Sequence, residues 1–399
     1  MPSAHSKTLP LVLGLGLTCT IGYGTILYAF SLLSIEIEKA FAWSNTFIFG
    51  VYSLGVLLAG LTASKLGSIL DQFGARIPMC AGSVIVASSF IGLANMTTPL
   101  EFVVYMLTME VSSILVIYES AFVALTHVLG QDARRPISQI TLMAGFASTI
   151  FWPLTAYLLS VFEWRAIYVF MALLHLLICL PIHWLCLQQS PTASTKTTSP
   201  EPKKTALKPR HEQHIEILVA GALGLSAFCI VGLQLHIFSV LEALEVPETL
   251  AVAAGALIGP FQVISRLTDM LLRKQITAVH LSFVSLSAIT IGIIGIMLSH
   301  SMSPHAVFLF AIFFGIGQGL TNIVRGALPL QLFGALNYGS ITGRLNRVRL
   351  IMSALAPISF TFFLSHFGAM TLTALLLMLT LASIGLIQTA IKKASITLA

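Results

Sequence analysis

Gly67-Ser-Ile-Leu-Asp71-Gln-Phe-Gly74-Ala-Arg76 is a short charged connection between two long apolar runs of the sequence. A degraded copy, Ser265 to Lys274, repeats the small residue four positions before an aspartate, here Asp269, and the base five positions after it. The two aspartates lie about half the chain length apart. A connection repeated at this distance indicates two related halves.

The composition is that of a membrane protein. Hydrophobic residues make up 56% of the chain and charged residues 9%, whereas soluble domains have about 25% charged residues. The apolar runs have about 20 residues or more, which is long enough to cross about 30 Å of hydrocarbon as helices. Helices are expected because backbone polar groups find no water in lipid. The five cysteines lie in apolar runs without metal-ligand spacing, so no metal or cofactor is predicted.

The sequence predicts an all-α membrane protein with twelve membrane-spanning helices in two pseudo-symmetric six-helix bundles. The N-terminal bundle covers residues 1–187 and the C-terminal bundle covers 214–399. The segment 188–213 is rich in Ser, Thr, Pro and Lys, which is typical of a disordered linker. The predicted spans are about 8–33, 46–66, 77–97, 102–129, 137–161, 166–187, 214–240, 249–270, 277–299, 306–331, 347–368 and 371–391.

The basic residues indicate the orientation of the chain. With both termini cytoplasmic, seventeen Lys and Arg residues fall on the cytoplasmic side, and only Lys39 and Arg165 fall on the other. This asymmetry follows the positive-inside rule. The net charge of +6 therefore reports topology rather than nucleic-acid binding. We expect a monomeric multi-pass protein of the bacterial inner membrane, with the lipid bilayer as its surroundings.

Twelve spans, a central cytoplasmic linker and Gly67-x-x-x-Asp71-x-x-Gly74-x-Arg76 between spans two and three resemble the major facilitator superfamily. The resemblance covers nearly the whole chain. It implies the major facilitator fold and a cytoplasmic latch in which Asp71 and Arg76 stabilise the outward-facing state. Gly67, Gly74 and, in the copy, Asp269 complete the candidate gate. The alternative is an ordinary tight turn that uses the two glycines.

Two carboxyl groups in span four are candidates for proton coupling. An ionisable side chain inside a membrane costs about 3 kcal/mol on insertion scales, so Glu110 and Glu119 each mark a candidate site. On one continuous helix they would lie about 180° apart, so both cannot face one cavity. Removal from water favours the protonated form of a carboxyl group, which suits proton exchange. The sequence favours Glu119, which follows Tyr118; the alternative is that both acids form structural interhelical bonds.

Span ten carries Gln318, Asn322 and Arg325 on one stripe at helical spacing, with glycines between them. Glycine lets backbone or ligand approach closely. Arg325 would either pair with a glutamate such as Glu119 or hold an anionic substrate through its planar guanidinium group. The alternative is that its side chain snorkels to the cytoplasmic surface.

Span eight places Gln262 and Arg266 one turn apart below Gly259-Pro260. This arrangement is similar to the monocarboxylate-transporter branch of the superfamily, which has an Asp and an Arg four positions apart in this helix for substrate and proton handling. Arg266 matches the Arg, and Gln262 stands in place of the Asp. Phe41-Ala-Trp43-Ser44 before span two is a second local likeness. Arg266 also lies in the copy of the latch, so a gate role is the alternative.

Aromatic and histidine side chains complete the predicted substrate site. Tyr23 and Tyr28 of span one, Tyr118 of span four and His236 of span seven offer hydrogen-bonding groups, and substrate sites of such proteins lie near the membrane midplane. For Tyr28 and His236 the alternative is an interfacial position, which is common for aromatic side chains.

The sequence therefore predicts a secondary transporter that moves a small organic solute, an anion or carboxylate, by proton-coupled symport and alternating access. The alternative is a proton-driven efflux carrier for drugs or for a secreted metabolite such as a siderophore. The sequence lacks the Walker pattern Gly-x-x-x-x-Gly-Lys-Ser/Thr, so ATP is not expected to be the energy source within this chain. It also lacks a catalytic constellation, so an enzyme is not expected.

Overall fold

The computed structural model describes residues 4–188, 209–272 and 275–398, and all regular structure in these ranges is helical. Two π turns, Tyr23–Tyr28 and His175–Cys179, and two 3₁₀ turns lie between the α-helices. The α-helices are α1 Ala4–Gly22, α2 Phe30–Phe41, α3 Asn45–Phe73, α4 Arg76–Asn95, α5 Pro99–Ser113, α6 Tyr118–Leu129, α7 Arg134–Ala144, α8 Ala147–Val161, α9 Trp164–Leu174, α10 Leu180–Cys186, α11 Pro209–Ala243, α12 Glu248–Leu272, α13 Ala278–Ser301, α14 Val307–Phe333 and α15 Tyr338–Leu398.

Ten helical stretches among the described residues are long and apolar enough to cross a membrane. Two of them, Pro99–Val161 with 63 residues and Tyr338–Ala394 with 57, exceed the length of one crossing, since about 20 residues suffice. Gly368, with φ of 77°, interrupts α15 next to the predicted boundary between spans 347–368 and 371–391. The chain is thus a multi-pass helical membrane protein, while the count of twelve spans and the orientation of the termini stay predictions.

Span four, predicted as one helix over 102–129, is broken. α5 ends at Ser113, α6 begins at Tyr118, and Ile117 between them is extended, with φ of −108° and ψ of −161°. Ser113 Oγ donates to the carbonyl of Glu110 at 2.7 Å, and Ser120 Oγ donates to the carbonyl of Ile114 at 2.8 Å. Serine hydroxyls compete with the helical ladder, and β-branched residues near the break favour helix less than unbranched ones.

The prediction of one continuous helix through Glu110 and Glu119 is therefore wrong, and the separation of about 180° calculated from it no longer follows. That angle holds only where the helical repeat runs without interruption from one residue to the other. The break at 114–117 lies between them, so each glutamate takes its direction from its own helix.

Residue contacts divide the chain into two compact units. The first unit comprises Met1–Lys196 and Gly334–Arg347, and the second comprises Thr197–Phe333 and Val348–Ala399. The first turns of α15 thus belong to the first unit. The predicted linker 188–213 lies for the most part outside the described residues, and the predicted bundles 1–187 and 214–399 stay predictions.

In the second unit, α14 packs against α12 and α13 through glycines. A Cβ atom at Gly315 would lie 2.6 Å from the carbonyl oxygen of Ile258 on α12, and one at Gly317 would lie 2.8 Å from that of Ser285 on α13. Small residues allow such close backbone approach between membrane helices. The packing holds the polar face of α14 firmly beside α12.

In the first unit, α3 and the start of α15 make a similar contact. A Cβ atom at Gly339 would lie 2.7 Å from the carbonyl oxygen of Gly67, and one at Gly343 would lie 2.7 Å from that of Ala63. The two helices therefore meet backbone to backbone. This contact fixes the position of the first turn of α15 relative to the end of α3.

Gly67→Ala is expected to lower the melting temperature of the purified protein by about 2 °C, because about 2 kcal/mol of contact energy is lost when α15 shifts. The added Cβ atom would overlap the carbonyl oxygen of Gly339. Gly50→Ala, on the same helix as Gly67, is the control. A Cβ atom added at Gly50 would have nothing within 4 Å. Equal melting temperatures for the two variants would contradict the close contact.

Candidate functional site

Asp71, His127, Gly339 and Ser340 form the Asp71 cluster, which lies entirely within the first unit. The Asp71 side chain is buried near the end of α3. Its Oδ1 accepts a hydrogen bond from the Gly339 amide at 2.9 Å, and its Oδ2 accepts from the amide and the hydroxyl group of Ser340 at 2.6 and 2.7 Å. Nε2 of His127 lies 3.1 Å from Oδ1. One carboxylate thus receives four contacts from two other helices.

Asp71 caps a helix that is distant in sequence. The first intrahelical bond of α15 runs from the amide of Ile341 to the carbonyl of Asn337 at 3.1 Å. The amides of Gly339 and Ser340 precede this bond and have no carbonyl partner within α15, as in any first helical turn. The helix dipole adds positive potential there, which stabilises a carboxylate. Asp71 supplies both the acceptor oxygens and the negative charge.

The connection predicted from Gly67 to Arg76 is shorter than expected. α3 continues to Phe73, so Gly67 and Asp71 are helical and only Gly74 and Ala75 separate α3 from α4. The prediction of a loop from Gly67 onward is wrong because the last turns of α3 keep a buried face, to which Leu70 also belongs. Gly74 has φ of 72°, a conformation that glycine adopts without the strain of a side chain.

Arg76 begins α4 and contacts α10 rather than α15. Its Nε donates to the carbonyl of Trp184 at 3.0 Å, and its guanidinium carbon lies 3.8 Å from the centroid of the Trp184 ring. The two latch residues therefore have different neighbours. In the copy, Asp269 is buried near the end of α12, while Arg273 and Lys274 lie outside the described residues.

Glu119 lies in the first turn of α6, directly after the break in span four, and is buried. The ring of Tyr118 lies 4.6 Å from that of Tyr23, measured between centroids, and its hydroxyl group donates to the carbonyl of Thr141 at 3.2 Å. Tyr28 lies partly buried at the end of the first π turn. The structure thus brings Tyr23 into contact with Tyr118, which is the residue that precedes Glu119.

Glu110 is buried in α5 against α3. A Cβ atom at Gly55 would lie 2.7 Å from Cγ of Glu110, so the absence of a side chain there makes room for the acid. Among the described residues, Oε1 of Glu110 has no hydrogen-bond partner. Glu110 therefore occupies a more apolar site than Asp71 does.

Two buried histidines near the second π turn were not predicted. Nε2 of His175 lies 3.0 Å from Oγ1 of Thr25, which itself donates to the carbonyl of Ile21 at 2.8 Å, so the histidine nitrogen is the donor of the pair. Nδ1 of His183 lies 2.9 Å from Oγ of Ser83. The rule that singled out the intramembrane glutamates applies to these histidines as well.

In the second unit, Gln262, Gln318 and Arg266 form a hydrogen-bonded chain between α12 and α14. Nε2 of Gln262 donates to Oε1 of Gln318 at 2.7 Å, and Nη2 of Arg266 lies 3.5 Å from Oε1 of Gln262. Nε of Arg266 also donates to the carbonyl of Gly319 at 3.3 Å. The guanidinium group is thus buried among backbone and amide oxygens.

Arg325 and Asn322 continue the polar stripe of α14. Nη1 of Arg325 donates to Oδ1 of Asn322 at 3.2 Å, and Nδ2 of Asn322 lies 3.5 Å from the carbonyl of Gln318. The three residues share one stripe, as their spacing predicts. Elsewhere in the second unit, His236 Nε2 lies 3.2 Å from Oγ1 of Thr361.

The chain is similar to known transporters. A sequence model of the Major Facilitator Superfamily matches residues 12–357. The fold is similar to that of XylE, an MFS proton:xylose symporter bound to 6-bromo-6-deoxy-D-glucose, with TM-score 0.72, 14% identity and coverage of 96% of this chain and 95% of that chain. It is also similar to the human organic anion transporter MFSD10 (TETRAN), with TM-score 0.74, 15% identity and coverage of 97% and 100%. At these identities the likeness shows the fold alone, and no curated protein is similar enough in sequence to be matched.

Proposed function

Because the chain belongs to the Major Facilitator Superfamily, we propose that it moves a small organic anion, such as a carboxylate, by proton-coupled symport and alternating access. Family membership already makes the chain a multi-pass membrane transporter rather than an enzyme. The proposal adds the substrate class and the coupling ion. On the basis of the basic residues it takes both termini to be cytoplasmic. It further takes the protein to be a monomer of a bacterial inner membrane.

The main support for an anionic substrate is the orientation of the side-chain amide groups of Gln262 and Gln318. Arginine has only donors, so Gln262 must turn Oε1 toward Arg266 and Nε2 toward Gln318. Gln318 then accepts through Oε1 and keeps its own Nε2 as a donor. No described residue accepts a hydrogen bond from that nitrogen. The chain therefore offers an amide donor to a ligand oxygen.

Arg325 and Asn322 add to this donor set. The guanidinium group of Arg325 contacts Asn322 one helical turn beyond Gln318. Guanidinium groups bind carboxylates through two parallel hydrogen bonds, which fixes geometry as well as charge. Donors from Gln318 and Arg325 on one stripe of α14 favour an anion over a cation. The local likeness to the monocarboxylate-transporter branch agrees with this substrate class.

For the proton we propose Glu119 as the coupling residue and Glu110 as the second candidate. Glu119 begins α6 after a break in span four, and transporters often place their coupling sites at such interrupted helices. Tyr118, Tyr23 and Tyr28 are the proposed substrate contacts in the first unit, and His236 is the proposed contact in α11.

For the gate we propose that Asp71 and the first turn of α15 form a contact that breaks during transport on the cytoplasmic side. Gly67 allows the close approach, Gly74 ends α3, and Arg76 ties α4 to α10. Asp269 and Arg266 are candidate gate residues of the copy.

Efflux of drugs or a secreted metabolite is a second candidate function. The rings of Tyr23 and Tyr118 lie 4.6 Å apart, and those of Tyr118 and Phe122 lie 5.2 Å apart and are stacked. Aromatic surfaces suit flat apolar molecules and organic cations. This observation favours a drug-like ligand over a small acid.

Purified protein in liposomes with an imposed pH gradient distinguishes the two functions. A panel of mono- and dicarboxylic acids and of cationic dyes is added, and proton flux is followed with a pH-sensitive dye inside the liposomes. We expect proton flux with at least one acid and none with the cationic dyes. Flux with dyes alone would favour efflux, and flux with neither class would contradict both functions.

Gln262→Met is expected to raise KM for the transported acid about tenfold, because Gln318 loses the partner that orients its amide group. Gln275→Met is the control, since it makes the same substitution at an exposed position of the same unit. Unchanged KM in both variants would contradict the role of the amide chain.

A further inference from the structure

The carboxylate of Asp71 has a contact that helix capping does not require. Its bonds to Gly339 and Ser340 already satisfy the first turn of α15. His127, in the last turn of α6, adds a contact of 3.1 Å to Oδ1 from a third helix. The side chains of His127 and Asp71 are only 8% and 7% exposed. The two side chains are therefore largely shielded from water.

The hydrogen-bond pattern defines the donor of this pair. An ionised carboxylate only accepts hydrogen bonds, so Nε2 of His127 carries the proton and donates it to Oδ1. Among the described residues, Nδ1 of His127 has no hydrogen-bond partner. Within the described structure, the contact with Asp71 is thus the one hydrogen bond of the His127 ring.

A donor from a helix other than α15 matters because the plane of an aspartate carboxylate is weakly defined by its own torsion. Rotation about χ2 is broad, without the three sharp wells of an sp³–sp³ bond. Asp71 must nevertheless direct Oδ1 to Gly339 and Oδ2 to Ser340 at the same time. His127 on α6 donates to Oδ1 and so restricts rotation about χ2 of Asp71 before the carboxylate binds the first turn of α15.

We propose that His127 is a positioning residue, which holds the Asp71 carboxylate in the orientation that captures the amides of Gly339 and Ser340. It acts through Asp71 and touches no substrate. The inference rests on the proposed function only in calling this contact a gate, because the orientation itself is a property of the first unit.

Amide hydrogen exchange of the full-length protein in lipid nanodiscs measures how strongly Asp71 binds the amides of Gly339 and Ser340. The amides of Gly339 and Ser340 have no carbonyl partner within α15, so their protection depends on Asp71. Exchange is followed by mass spectrometry on peptides covering residues 336–343. No substrate is added, so a failure of the proposed anion transport leaves this measurement intact.

Three substitutions of His127 separate donation from packing. His127→Leu removes the donor and is expected to raise exchange of the two amides about tenfold. His127→Gln places an amide nitrogen at a similar reach and is expected to restore exchange to within about threefold of wild type. His127→Asn keeps an amide group but is one methylene shorter, so its exchange is expected to match that of His127→Leu.

Thr126→Val is the matched control on α6. The Thr126 side chain is buried, and its hydroxyl group donates to the carbonyl of Phe122 at 2.8 Å within the same helix, away from Asp71. We expect wild-type exchange for this variant. If His127→Leu destabilises the fold, the comparison of His127→Gln with His127→Asn still decides the question. Equal exchange in those two variants, or wild-type exchange in a folded His127→Leu, would overturn the proposal.

Discussion

Asp71→Asn is expected to raise amide exchange of Gly339 and Ser340 about a hundredfold and to lower the transport rate to about a tenth or less of wild type. Asparagine offers one acceptor oxygen in place of two and has no charge. Three hydrogen bonds from α15 then lose their charged acceptor. At about 1 kcal/mol for each bond the sum is about 3 kcal/mol, which corresponds to a factor of about 100.

Asp132→Asn is the control for this experiment, since Asp132 is exposed just after α6. Exchange and transport are measured on the same preparations, together with the melting temperature. A folded Asp71→Asn variant with wild-type exchange would show that the carboxylate does not hold α15. Raised exchange with wild-type transport would show that the contact exists but is not a gate.

Glu119→Gln is expected to abolish accumulation driven by the pH gradient while leaving exchange between two substrate pools intact. A gradient of one pH unit is worth about 1.4 kcal/mol per proton, so one coupled proton supports about tenfold accumulation. Glutamine keeps the size and polarity of the side chain but cannot take up a proton. The accumulation ratio should therefore fall from about ten to about one. Uptake of a labelled acid that the wild-type protein transports, with and without the gradient, measures both quantities.

Glu110→Gln and Glu163→Gln complete this experiment. Glu163 is exposed before α9, so its substitution controls for the chemical change. Loss of accumulation in Glu110→Gln alone would move the coupling role to α5. Accumulation that survives in every variant would contradict a role for either intramembrane glutamate.

Much of the fold follows from composition and run length. The apolar runs predicted a helical membrane protein, and Gly368 interrupts α15 where two predicted spans meet. The break in span four could not be predicted from hydropathy, because the residues of the break, 114–117, are themselves all apolar. It depends on a local competition in which hydroxyl groups such as that of Ser120 take backbone carbonyls.

The candidate sites were predictable to a different extent. Asp71 was identified from its own motif, but Ser340 lies 269 residues away, and no local spacing connects them. Gln262 and Arg266 were predicted as a pair in span eight, and Gln318 was predicted on the stripe of span ten. The link between the two helices and the direction of the two amide groups need the distances between α12 and α14. Sequence periods report which residues share a helix face, and they carry no information on which faces meet.

The π turn Tyr23–Tyr28 between α1 and α2 constrains how this chain can change length during evolution. A π turn holds more residues than an α-helical turn, and each residue advances an α-helix by about 100°. Losing one residue here would convert the π turn into an α-helical turn and leave the faces of α2 nearly unchanged. Phe30, Leu33 and Ile37 would then stay buried. Losing one residue from α2 itself would rotate the rest of that helix by about 100° and move this apolar face away from its packing partners. Single-residue deletions are therefore easier to accommodate in this turn than in α2.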